Sequence, residues 1–126
     1  MKTFSANRFA LLTLLPAVFV IFLLYPGAAF ANSPKEVKLS YDASTQMLRA
    51  DITHSPISGS HYVEKVEVRK NGQVAAVQEY KGQSGETFTY TARVAAAPGD
   101  VIEVKATCSR FGSKTEKLKI GPSAAR

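Results

Sequence analysis

The chain has 126 residues, 45% of them hydrophobic, a formal net charge of +6, two histidines and a single cysteine. That length accommodates one small domain, and a lone cysteine excludes the internal disulfide staples that small exported domains commonly use. Basic residues alternate with acids, as in Glu64-Lys65 and Glu67 ahead of Arg69-Lys70, so the dense basic stripe with exposed aromatics that nucleic-acid binding requires is missing.

The first 31 residues have the layout of a secretory leader. Lys2 and Arg8 give a basic start, Phe9 to Leu24 is an apolar run broken by Thr13 and Pro16, and Ala29-Phe30-Ala31 fits a small-x-small cleavage site. The apolar run is 16 residues long, short of the roughly 20 that span a bilayer. No cysteine follows directly, which argues against a lipid anchor. The expectation is a leader over 1–31, cleavage before Asn32, and a domain over 32–126 that is periplasmic or secreted and not held by the membrane. Without Lys2 and Arg8 the charge falls to +4, a mildly basic surface able to help attract a small anion.

From Asn32 onward the sequence alternates with period two, the mark of strands with one buried face. Val37, Leu39 and Tyr41 alternate with polar residues, then Asp42-Ala-Ser-Thr45 forms a turn. Leu48, Ala50 and Ile52 continue the pattern, and His54 is next in the inward phase. A break rich in Ser, Pro and Gly runs from Ser55 to Ser60. The following strand is read with Tyr62, Val66 and Val68 inward and His61 on the polar side. Asn71-Gly72 is a strong hairpin signal, because both residues accept positive φ. Val74 to Lys81 has mixed phase and Gly82-Gln-Ser-Gly85 is a loop. Phe88, Tyr90, Ala92 and Val94 alternate, Pro98-Gly99-Asp100 turns, and Ile102, Val104 and Ala106 lead in phase to Cys108. Leu118 and Ile120 close a last strand. No segment has helical periodicity. The expectation is an all-β, immunoglobulin-like β-sandwich of about seven strands, with a small barrel as the alternative.

That topology has a chemical consequence. His54 and His61 flank the connection between the second and third strands, and Cys108 opens the one between the sixth and seventh. In an immunoglobulin-like sandwich these two connections lie at the same end. Each residue alone has an ordinary reading: a core-edge histidine, a solvated histidine, a small buried thiol. Together they place every imidazole and thiol of the chain at one rim, a mixed set that suits iron, copper or zinc and not calcium or magnesium.

The motifs carry a family resemblance. His54 with Pro56 two residues on, His61-Tyr62-Val63, and the ending Val104-Lys-Ala-Thr-Cys108-Ser-Arg-Phe-Gly112 resemble the iron-binding domain of superoxide reductases, the desulfoferrodoxin and neelaredoxin family, over roughly Ile52 to Gly121. The resemblance implies an immunoglobulin-like sandwich. It also implies an iron held by four histidine nitrogens in a plane and a cysteine sulfur on the axis, whose open sixth position reduces superoxide to peroxide. Carried over by motif, His54, His61 and Cys108 match three of those ligands. Phe111 stands where the family's last histidine would be, and the upstream segment Pro34-Lys-Glu-Val-Lys38 contains no histidine.

The ligand set is therefore reduced to His54, His61 and Cys108. Such a set weakens Fe(II) binding and brings copper or zinc into competition; Met47, seven residues from His54, is a weak candidate for an axial ligand. Phe111 is the discriminating residue. If the side chains of His54, His61 and Cys108 point at a common centre within ligand distance, the metal reading stands; if Phe111 packs between them, it fails. The sequence expectation is an exported superoxide-reductase-like metal-binding protein, whose enzymatic activity is left open by the incomplete set. The alternative is a metal-free immunoglobulin-like module that binds or carries a partner through its loops or a sheet edge. The protein partner is unknown. No Ser-His-acid spacing or Gly-rich phosphate loop points to a hydrolase or nucleotide enzyme.

Overall fold

A computed structural model describes residues 32–122, and the expected leader lies outside them. The described chain forms seven strands: β1 Glu36–Asp42, β2 Met47–Thr53, β3 Val63–Lys70, β4 Gln73–Glu79, β5 Thr87–Arg93, β6 Val101–Cys108 and β7 Ser113–Lys119. All named pairings are antiparallel. One sheet has the order β1-β2-β5 and the other β4-β3-β6-β7. The seven-strand, two-sheet architecture read from the alternation is the one observed.

Alternation builds the core directly. Val37, Leu48, Ala50, Ile52 and Tyr90 bury the inner face of the three-stranded sheet, and Val66, Val68, Ile102, Val104 and Ala106 that of the four-stranded one. Their apolar area leaves water between the sheets, the dominant stabilising term for a domain with no covalent staple. Turns fix the register. Lys70 pairs with Gln73, which leaves Asn71 and Gly72 as a two-residue hairpin with φ of 51° and 83°, the left-handed pair that matches strand twist. Asn71 Nδ2 donates to Asp100 Oδ1 and Asn71 Oδ1 accepts from the Val101 amide, 2.9 Å each, so this turn is tied to the one before β6. At the same end the Tyr41 hydroxyl donates to the Val94 carbonyl at 2.7 Å, joining β1 to the segment after β5.

The start of β3 departs from simple alternation. Val63 pairs with Cys108 of β6, yet Lys65 pairs with Thr107. The extra residue is a β-bulge, and it changes which side chains point inward. Val63, Val66 and Val68 are fully buried, while Tyr62 is only partly so. The expected phase, with Tyr62 inside and His61 on the polar side, is thus corrected: ahead of the bulge the buried positions are His61 and Val63.

Candidate metal centre

His54, His61 and Cys108 come together at the end of the sandwich opposite the Asn71 hairpin, and all three are buried. Each arrives from a different element. His54 directly follows β2 and stays in its inward phase, and its amide donates to the Glu86 carbonyl, extending the β2–β5 pairing by one residue. Cys108 ends β6 in the facing sheet. His61 lies in the crossing segment, where a small bridge between Ser58 and His61 holds it, and the bulge turns it inward. The two rings meet edge to face, centroids 4.6 Å apart and planes at 81°.

Gln83, in the β4–β5 loop, organises the site. Its Oε1 accepts from the Val63 amide at 3.1 Å, and its Nε2 donates to the carbonyls of His54, at 3.1 Å, and Gly85, at 2.7 Å. An amide donor on one end and carbonyl acceptors on the other admit only one orientation of the side chain. Oε1 is therefore placed to accept from His54 Nδ1, 3.1 Å away, and in that tautomer the proton of a neutral His54 sits on Nδ1. Its Nε2 is left with a lone pair. This is how metal-binding histidines are ordinarily held: the outer nitrogen donates to an oxygen and the inner one is free to ligate.

The inner nitrogens have unusual surroundings. His54 Nε2 faces the Asn32 carbonyl oxygen at 3.1 Å, so with the ring proton on Nδ1 a lone pair faces an acceptor. Only a cation shared between them, a proton or a metal ion, makes that contact favourable. His61 Nε2 is buried with no hydrogen-bond partner, a state that costs about 1–3 kcal/mol unless something binds there. Burial is the main cause holding the His61 imidazolium below its ordinary pKa, with the charges of His54 and Arg110 adding to it; the backbone at Pro56 and Asn32 acts weakly the other way. His61 is thus biased toward the neutral form that can ligate.

The third ligand atom, Cys108 Sγ, accepts the Arg110 amide at 3.4 Å. The loop around it is tightly closed. The Cys108 amide donates to the Gly112 carbonyl and the Ser109 amide to the Tyr62 carbonyl, while Gly112 turns with φ of 91°, a conformation open chiefly to glycine. The tip of the loop is left outside. Phe111 is 84% exposed and does not pack between the ligand-type side chains, so the alternative in which it turns the site into core is overturned. Arg110 folds back, Nη2 donating to Ser60 Oγ at 2.9 Å, and sets a guanidinium at the rim.

These residues fit a metal ion. One ligand atom from each of His54, His61 and Cys108 lies within 4.8 Å of the other two. Nitrogen and sulfur bound tetrahedrally to one ion lie about 3.6 Å apart, so binding draws the three together by at most about an ångström. The 3.1 Å between His54 Nε2 and the Asn32 oxygen already matches two neighbouring ligands about 2.1 Å from one ion at right angles, which stand about 3 Å apart. Met47 leads β2 from its far end and plays no part. A surface hollow of about 850 Å³ is also at that far end, between Tyr41, Ala96 and Leu118, and carries no histidine or cysteine. Two contributors were missed in the sequence, Gln83 and Asn32. A glutamine in a Gly-flanked loop carries no motif, and the reach of Asn32 to His54 depends on the path of the chain before β1.

No protein-family model matches the sequence, and no curated protein matches it. The fold is similar to that of superoxide reductase (neelaredoxin) from Ignicoccus hospitalis, with TM-score 0.48 and 12% identity over 71% of this chain and 82% of that one. A single-substitution variant of the same protein superposes with TM-score 0.50 at 12% identity over 76% and 84% of the two chains. At that identity the likeness is one of fold.

Proposed function

We propose that this chain is an exported protein that binds one metal ion through His54, His61 and Cys108 and serves a redox role of the superoxide-reductase kind. The observation that carries the reading is the convergence of the only two histidines and the only cysteine, from three separate elements, with their ligand atoms within 4.8 Å. Iron is the ion implied by the family resemblance, and copper suits a His2Cys set equally well; zinc would bind the same donors without redox chemistry. A bound iron or copper would supply one-electron chemistry. The residues supply the rest. Gln83 keeps the proton on the outer nitrogen of His54, and the buried surroundings of His61 keep it neutral. Arg110, at the rim, offers the positive charge toward which a small anion such as superoxide would be drawn.

A second reading has its own support. Val74 and Val77 on the edge strand β4 are about half exposed, and Phe111 more so, as in a metal-free module that meets a partner through a sheet edge or loop. The test offers Fe(II), Cu and Zn separately to the exported protein without oxygen, beside Cys108→Ala. A stoichiometric metal with a thiolate-to-metal absorption band that vanishes in the variant is expected, together with superoxide consumption by the iron or copper form. No binding of any of the three metals would overturn the proposal in favour of the partner-binding module.

A further inference from the structure

Three protein ligands leave a redox metal under-coordinated, and the same end of the molecule holds a group that could complete the shell. The Asn32 carbonyl oxygen faces His54 Nε2 at 3.1 Å, and the His54 ring in turn meets that of His61 edge to face, centroids 4.6 Å apart. The next residue, Ser33, has its hydroxyl buried with no partner, so this stretch enters the site region without satisfying its own polar groups. The small-x-small motif ends at Ala31, and removal of a leader there makes Asn32 the first residue. Its nitrogen then changes from an amide, which does not ligate at neutral pH, to a primary amine, which does. Covalent geometry holds that nitrogen within about 3.6 Å of the same residue's carbonyl oxygen, and the two close a five-membered chelate ring on a single ion.

Resting on the metal-centre reading above, we propose that the α-amine and carbonyl oxygen of Asn32 are the remaining protein ligands, so that leader removal completes the site. The centre then has His54 Nε2, His61, Cys108 Sγ and a bidentate chain terminus, a five-donor set reached with two histidines where the family resemblance implies four. Before processing, the amide nitrogen donates nothing and only four donors are available. The metal affinity of the chain is thereby linked to its export.

The test uses the full chain, exported and processed by a host cell, with its first residue read by mass spectrometry. A second version carries Gly-Ser inserted between Ala31 and Asn32, so that processing leaves the Asn32 nitrogen as an amide. Both are titrated with Cu(II) and with Co(II), whose absorption reports coordination number and thiolate ligation, and both are melted to confirm equal folding. The processed chain is expected to begin at Asn32 and to bind at least 10-fold more tightly than the inserted version. The Co(II) spectrum should shift between them while the thiolate band persists in both. Equal affinity and identical spectra would overturn the role of Asn32 and leave the His54, His61 and Cys108 centre standing, as would a first residue other than Asn32. Failure of both versions to bind any metal would overturn this inference and the centre together.

Discussion

At the scale of the residue, the site depends on where single protons and lone pairs sit. Gln83 contributes nothing that would touch a metal, yet it joins His54 Nδ1, the His54 carbonyl, the Val63 amide and the Gly85 carbonyl through one side chain. Gln83→Leu keeps similar bulk and strips all of these contacts. Leaving the buried Val63 amide and His54 carbonyl unpaired should cost about 2–4 kcal/mol. Releasing the tautomer of His54 should weaken metal binding by about 10–100-fold. Gln83→Glu separates the two effects, because it keeps the acceptor for His54 and Val63 while losing the donors. If Gln83→Glu retains most of the affinity at reduced stability, Oε1 orients the ring; if both variants lose stability alone, with affinity intact, Gln83 is only a structural clamp.

At the scale of the element, alternation made most of the fold legible. In β1, β2, β5 and β6 the residues expected to face inward are the more buried ones, and His54 and Cys108 are buried as their phase requires. What alternation could not show is the bulge between Val63 and Lys65. No glycine or proline marks it, and it exists because β3 must pair with β6 while also presenting His61 to the interior. A one-residue change of register exchanges the two faces of a strand. Deleting Glu64 should therefore remove the bulge and turn either His61 and Val63 or the rest of β3 outward. The core valines Val66 and Val68 hold the longer part of the strand in place, so His61 is the side that yields. The expected product keeps its β content by circular dichroism and loses metal binding by at least 10-fold. Unchanged affinity in a folded deletion variant would show that the bulge does not place His61.

At the scale of the molecule, the candidate centre sits where the two sheets are joined by something other than apolar contact. His54 extends one sheet and Cys108 ends the other, and no disulfide links them. An ion held by both would bind the folded state and not the unfolded chain, and so stabilise the sandwich by mass action. At a free metal concentration 100 times the Kd the gain is about 2.7 kcal/mol, on the order of 10–20 °C in Tm for a domain of this size. The metal-free protein has the opposite liability. Burial lowers the pKa of His61 in the folded state, so between that value and the unfolded value near 6.5 the unfolded chain binds more protons. Stability from this group is complete above about pH 6.5 and is lost as the pH falls toward the lowered folded value. Thermal melts at pH 7.5 and 5.5, with and without metal, read both effects at once. The metal-free protein should melt lower at pH 5.5, and His61→Leu, which cannot take up a proton, should reduce that difference. Added metal should raise Tm most at pH 7.5, where protons do not compete for the ligands, and the rise should disappear in Cys108→Ala. A metal-induced rise that survives Cys108→Ala would place the ion somewhere other than between the sheets.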